Sequence, residues 1–412
     1  MTKKYEETHP WITFDLDLRM ASHKFWMLLG EAQSKCRHIS GVPLRPEQAR
    51  ELHQIYLTKG VRATTAIEGN TLSESEVKKI IENDLKLPPS KQYLKQEIRN
   101  IVEACNAIAE RVGSSLSSDD KITLDDILDF NRRVLKDIPE IEDTAIPGSI
   151  RDFPVVAGSY RGAPAEDCQF LLERFCSWMN EPSSFDLGET NRLASGILKA
   201  IMAHLYLVWI HPFHDGDGRT ARLLEFRFLL EAGAPSPAGQ LLSNHYNETR
   251  EEYYRHLEIS WRKKNGVLDF LEYALQGFVD QLEEQIIRIR LDQIEVAWEN
   301  YVHTRFGDTR TERRRKDLLL AISAEKDPVP RNRILALDTD LAVQYLNKTI
   351  KTLSRDLRDL EKRELLIIGK EAVRANKDRI IAFLPILKPA IIPDLLNRKG
   401  EKSGPDGQKE IH

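Results

Sequence analysis

The sequence predicts a mainly α-helical protein with one exposed β-hairpin and a small C-terminal winged helix-turn-helix. Three observations carry that reading. Apolar residues recur at steps of three and four through the middle of the chain; a single Gly/Pro-rich stretch interrupts them; and from Thr311 short helical runs precede two β-type segments.

The elements follow in order. Trp26, Leu28 and Leu29, then Ala49 to Tyr56 and Val77 to Ile81, give helical segments. Pro147 to Pro164 carries glycines, prolines and a β-type piece at Phe153 to Val156, which marks the hairpin. Leu193, Ile197, Leu198, Ile201, Met202, Leu205, Val208 and Trp209 paint a broad apolar face on a helix from about Thr190 to Trp209. Pro212 ends it by disfavouring helical geometry at His211. A second amphipathic run from about Arg219 to Glu231 stops before Gly233 and Pro235, so two helices flank one short glycine-containing loop. Toward the C-terminus come helices at Asp317 to Ser323 and in the region Asn332 to Tyr345. Asn347 is then the expected N-cap of a helix from Lys348 to Arg363, and strands are expected at Leu365 to Ile368 and Arg379 to Leu384.

The composition excludes a wholly disordered chain: of 412 residues, 41% are hydrophobic and 30% charged, with a net charge of −4. Between Arg310 and Leu384 there are 18 Lys and Arg against 12 Asp and Glu, so a basic C-terminal module follows a mildly acidic body. No apolar run approaches the roughly 20 residues of a membrane helix, and the start MTKKYEETHPW lacks the apolar core of a signal peptide, so a cytoplasmic protein without a membrane partner is expected. Cys36, Cys105, Cys168 and Cys176 show no CxxC spacing and read as buried, reduced thiols. The expected division is an N-terminal helical region at 1–110, a core at 111–285, a helical linker at 286–310, the winged helix at 311–396 and a disordered tail at 397–412.

Chemistry concentrates in His211-Pro-Phe-His-Asp-Gly-Asp-Gly-Arg219-Thr-Ala-Arg222. A helix starting near Arg219 leaves its first amides unpaired, and Gly216 and Gly218 let the backbone approach a ligand, which makes an anion cradle suited to phosphate. Arg219 and Arg222 are three apart on that helix and can fork onto phosphate oxygens. Asp215 offers a hard oxygen to Mg²⁺, and His211 suits general-base work. Two rivals use the same residues: a GxGxxA dinucleotide pattern at Gly216 to Ala221, which lacks the βαβ context, and ligation of a transition metal by His211, His214 and Asp215.

The loop resembles the motif of the Fic family, His-x-Phe-x-(Asp/Glu)-Gly-Asn-Gly-Arg-x-x-Arg, and agrees with seven of its eight constrained positions. The resemblance implies a Fic-type helical core in which His211 deprotonates a target hydroxyl, Phe213 anchors the loop and Asp215 holds Mg²⁺. It further implies that Gly216, Asp217, Gly218, Arg219, Thr220 and Arg222 surround the phosphates of ATP. Asp217 stands where the family usually has Asn, and an ionised carboxylate cannot donate to phosphate. Thr64-Thr-Ala-Ile-Glu68-Gly69 resembles the family's inhibitory motif, which implies that Glu68 faces Arg222 and displaces the γ-phosphate. The hairpin sits where the family's flap lies, with Val155, Val156 and Tyr160 as target-docking residues. The stretch containing Tyr253 and Tyr254 resembles the adenine wall.

Two functions are therefore expected in competition. One is protein adenylyltransfer: AMP passes from ATP, with Mg²⁺, to a Ser, Thr or Tyr hydroxyl of a target protein or of the chain itself. The other is a DNA-binding regulator acting through Lys348, Lys351, Arg355 and Arg358, with the Fic-like core as a degenerate or nucleotide-sensing module. A homodimer is compatible with either.

Overall fold

The computed structural model describes residues 3–82, 87–114, 121–138, 146–325 and 327–381, so the tail expected from 397 and residues 382–384 of the expected last strand lie outside it. The chain divides into two units, one through Ile286 and one from Ile287.

Unit 1 is helical. Its elements are α1 (Lys4–Thr8), α2 (His23–Gly41), α3 (Pro46–Ala66), α4 (Glu74–Ile81), α5 (Gln92–Ser114), α6 (Leu124–Val134), α7 (Ala165–Asn180), α8 (Arg192–Ile210), α9 (Asp217–Glu231), α10 (Leu241–Glu248), α11 (Arg250–Arg262) and the first part of α12 (Gly266–Arg305). Local chemistry sets their starts: Ser22 caps α2, Pro46 occupies the first position of α3, and reciprocal capping boxes of Ser73 with Glu76 and Thr123 with Asp126 open α4 and α6. At the centre, α8 packs on α9; α2 and α7 cover α8, and α5 and α6 cover α9. Gly196 permits the close approach, because a Cβ there would overlap Ala232 just past α9. By length and composition the stretch Glu189–Ile210 could cross a membrane, contrary to the expectation that no such run exists; most of it is buried in the core of unit 1.

The hairpin pairs β1 (Val156–Ala157) with β2 (Tyr160–Arg161), Val156 opposite Arg161. The β-type piece expected at 153–156 is displaced toward the turn because the Phe153 carbonyl is taken by the Arg151 guanidinium at 2.8 Å. Similarly, α9 begins at Asp217, two residues before the expected start, because Gly216 at φ 81° provides the entry turn.

Unit 2 contains the rest of α12, then α13 (Arg310–Ala324), β3 (Val329–Pro330), α14 (Thr339–Tyr345), α15 (Ile350–Lys362), β4 (Leu366–Ile368), β5 (Ala372–Ala375) and α16 (Asp378–Ile381). The strands form an antiparallel sheet in the order β3-β5-β4. Its core joins Trp298, Leu318, Leu319, Ile334, Leu360 and Val373. Four expectations change here. The stretch 286–310 is helical to Arg305 and buries Trp298 and Val302 in this core, so it packs as part of the unit. The helix expected across 332–345 breaks, because Asp338 caps the Leu341 amide and starts α14 afresh. Thr349, in extended conformation, is the residue before α15, which displaces Asn347 as its cap. The last described strand is 372–375, where Val373 and Ala375 alternate inward; residues 379–381, expected as the start of a strand, belong to the helix α16.

Candidate active site

The chemistry-bearing loop starts where α8 runs out. His211 has φ 50°, a left-handed conformation uncommon outside glycine, and the structure around it supplies the compensation. Arg151 donates through Nε to the His211 carbonyl at 2.7 Å, and its own amide donates to the Pro212 carbonyl at 3.0 Å. The Ala163 amide donates to the Ile210 carbonyl at 3.3 Å, so the base of the hairpin is tied to the histidine turn. Phe213 is 1% exposed and roots the loop in the core.

Asp217 closes that loop. Its Oδ1 accepts the Phe213 amide at 3.0 Å, and its Oδ2 lies 3.2 Å from His211 Nε2. The carboxylate expected among the phosphate neighbours is thus buried and turned to the imidazole. Burial pushes its pKa up to about 6, against the pull of His211 and the Phe213 amide. Asn131 of α6 fixes the other side: its Nδ2 donates to the Asp215 carbonyl at 2.9 Å, and its Oδ1 accepts the Gly148 amide at 2.8 Å.

Both arginines of the motif are occupied. Arg219 bonds Glu97 at 2.7 Å and the two Asp215 oxygens at 3.0 and 3.1 Å. Arg222 donates to Thr64 Oγ1 at 2.8 Å, to the Thr64 carbonyl at 2.9 Å and to Glu68 Oε1 at 2.6 Å. Folding therefore joins residues more than 150 positions apart. The Glu68 carboxylate sits over Gly218, where a Cβ would overlap Oε1. Burial alone would raise the Glu68 pKa; the Arg222 and Arg219 guanidiniums outweigh it and hold it below the ordinary glutamate value. Gly69 follows at φ 102° and turns the chain after α3.

Behind Arg222 lies a buried polar cluster. Tyr246 donates to Glu225 at 2.8 Å, the other Glu225 oxygen lies 3.9 Å from His204 Nδ1, and the Tyr253 hydroxyl is 3.0 Å from His204 Nε2. Burial pushes Glu225 up to about 8. Tyr253, expected as an adenine wall, is thus a core residue with its hydroxyl turned inward. Tyr254 is 47% exposed, with the Arg250 guanidinium 5.9 Å from its ring.

Of the other expected residues, Thr220 is buried in the first turn of α9, with its hydroxyl 3.4 Å from Asn131. In the hairpin Val156 is exposed, Val155 is half-buried, and Tyr160 donates to the Trp209 carbonyl at 2.7 Å. Among the described residues no three His, Cys, Asp or Glu side chains gather as a metal site. A lone carboxylate such as Asp215 fits Mg²⁺ that takes its remaining ligands from phosphates and water. Lys348, Lys351, Arg355 and Arg358 belong to unit 2.

Sequence reasoning missed Glu97, Asn70, Asn131, Arg151 and the role of Arg250. Asn70 donates to Glu97 at 2.8 Å, and Arg250 donates to the Ile67 carbonyl at 2.6 Å at the end of α3. Each looks like an ordinary polar residue in its own segment; only the fold shows what it touches.

Comparison with known proteins agrees with this geometry. Residues 121–229 match the Fic/DOC family. The chain is 34% identical over 215 residues to Protein adenylyltransferase fic-1 of Caenorhabditis elegans, covering 51% of this chain and 37% of that one. It is 32% identical over 216 residues to Protein adenylyltransferase Fic of Culex quinquefasciatus, covering 52% and 38%. The chain thus spans less than two-fifths of the length of these relatives. A crystal structure of a Fic family protein from Desulfovibrio desulfuricans shares the fold, with TM-score 0.53 and 17% identity over 87% of this chain and 98% of that one.

Proposed function

We propose, from the Fic domain at residues 121–229 as the premise, that this chain transfers AMP from ATP to a hydroxyl of a protein and that Glu68 holds it in check. The names of the curated relatives support the reaction class. The observation that carries the regulated form is the Glu68–Arg222 pair at 2.6 Å over Gly218.

In this reading the acceptor hydroxyl loses its proton to Nε2 of His211, which requires it to displace Asp217 Oδ2 from that nitrogen. The hydroxyl oxygen bonds to the α-phosphorus, the bond from that phosphorus to the bridging oxygen breaks, and pyrophosphate departs with the electron pair. The first amides of α9, with Gly216 and Gly218 leaving room for the phosphates, stabilise the charge that develops. Arg219 and Arg222 neutralise the phosphate oxygens once Asp215, Glu97 and Glu68 give them up. Asp215 would hold Mg²⁺ arriving with ATP, which would add charge neutralisation at the phosphates. The exposed Val156 edge of the hairpin pairs with an extended acceptor segment. While Glu68 occupies Arg222, the γ-phosphate has no seat, and ATP binds weakly or out of line.

The test uses the Glu68→Gly chain with Mg²⁺ and cell lysate. Label from α-labelled ATP should enter protein, and label from γ-labelled ATP should not. Incorporation of γ-label alone would make the chain a kinase and refute the reading.

The order of elements in unit 2, helices followed by the β4–β5 ribbon, supports reading it as a winged helix.

A further inference from the structure

We propose that unit 2 binds duplex DNA through its phosphate backbone, using the outer face of α15 and the turn before it. This goes beyond the transfer reaction and stands independently of it.

The first observation is how α15 sorts its charges. Of its three acids, two are taken up by neighbouring arginines and the third, Glu361, is exposed beside the cationic row: Asp356 is 1% exposed and accepts from Arg314 and Arg315 at 2.9 Å and from Tyr345 at 2.8 Å. Asp359 pairs with Arg315 at 3.0 Å and Arg363 at 2.8 Å. Lys351, Arg355, Arg358 and Lys362 are exposed and recur at steps of four, three and four, which aligns them on one face of the helix. Lys348 is exposed in the preceding turn. No ion pair or hydrogen bond of these five side chains occurs among the described residues, so their charge is uncompensated while the neighbouring arginines are neutralised.

The second observation is geometric. From Lys351 to Lys362 the row is about 16 Å long at 1.5 Å per residue, straight, and carried by a helix that fits a major groove about 12 Å wide. At its N-terminal end Leu346 and Ile350 are 78% and 86% exposed, and Val343 on α14 is 64% exposed. That is the end of a recognition helix that meets base edges, where apolar side chains contact thymine methyl groups. The β4–β5 turn adds Lys370, exposed, on a loop fastened by Arg331, which donates to the Gly369 carbonyl at 2.9 Å. A regular row of cations with apolar side chains only at one end favours a polyanion of fixed pitch over an acidic protein surface.

The experiment measures fluorescence anisotropy of a labelled mixed-sequence duplex of about 24 base pairs with the full chain between about 50 and 200 mM NaCl. Four to five phosphate contacts predict a plot of log K against log salt with a slope of about −4. Lys351→Ala/Arg355→Ala/Arg358→Ala should weaken binding at least ~10-fold at the lowest salt and reduce the slope by about 2.7, from about 0.9 per cation removed. Lys264→Ala, an exposed lysine of unit 1, should change neither. Because the three substituted side chains are exposed and make no ion pair or hydrogen bond among the described residues, the triple variant should melt with the wild type. No binding at ~50 mM NaCl overturns the proposal, as it would if the face served a protein partner. Equal binding by the triple variant overturns it as well.

Discussion

Replacing Glu68 by glycine removes one carboxylate and should switch the chain on. The magnitude follows from the contact removed: a charge-assisted hydrogen bond of 2.6 Å that Arg222, whose side chain is 1% exposed, donates to a glutamate side chain 33% exposed. Bonds to charged groups contribute about 1.5–3 kcal/mol, and the exposure of Glu68 places this one near the lower end. Since ~1.4 kcal/mol is a factor of ten, labelling at ATP below saturation should rise about 10-fold from the lost pairing alone. Clearing the space over Gly218 should add to it. Arg222 stays in place afterwards because both Thr64 oxygens still hold it. Arg222→Ala should therefore not activate, and Arg222→Ala with Glu68→Gly should resemble Arg222→Ala. Initial rates of self-labelling for the four members of this cycle measure the coupling. Equal rates for wild type and Glu68→Gly at both low and saturating ATP would refute the reasoning and leave Glu68 a surface carboxylate.

Arg250→Ala should activate partially, several-fold, because it loosens the carbonyl end of α3 that presents Glu68, and it should add nothing in the Glu68→Gly background; labelling rates of the single and double variants check this. Asp217→Asn in the Glu68→Gly background should raise the transfer rate, since it removes a buried anion from His211 while keeping an acceptor for the Phe213 amide; a fall in kcat would mean that the carboxylate orients the imidazole. Glu225→Gln should flatten the pH dependence of stability. The native carboxyl titrates near 8 against an ordinary 4.5, so the stability it contributes is complete below 4.5 and is lost as pH rises through about 8. Denaturant melts should find the variant more stable than wild type at pH 8.5, by up to ~5 kcal/mol, and the two much closer at pH 4.5.

The central helices and their loop were legible because α8 and α9 are long, carry apolar residues at steps of three and four, and are punctuated by Pro212, Gly216 and Gly233. The partnership of Glu68 with Arg222 was legible only through a motif resemblance, since nothing local to either residue encodes a contact across 154 positions. The direction of Asp217 was not legible: at the N-terminus of a helix a carboxylate reads as solvent- or ligand-facing, whereas the left-handed turn at His211 swings the imidazole back over it. In unit 2, β5 was missed because Ala372 and Ala375 are too small to show alternation, while the bulkier residues 379–381, which are helical, read as the start of a strand. Glu97 and Asn131 act through tertiary contacts alone.

The most direct test is the intact mass of the purified Glu68→Gly chain before and after incubation with ATP and Mg²⁺, beside Glu68→Gly/His211→Ala. The account predicts a mass increase of one adenosine monophosphate on the first protein and none on the second. An increase equal to phosphate alone, or an adenylyl increment that survives loss of His211, would contradict it.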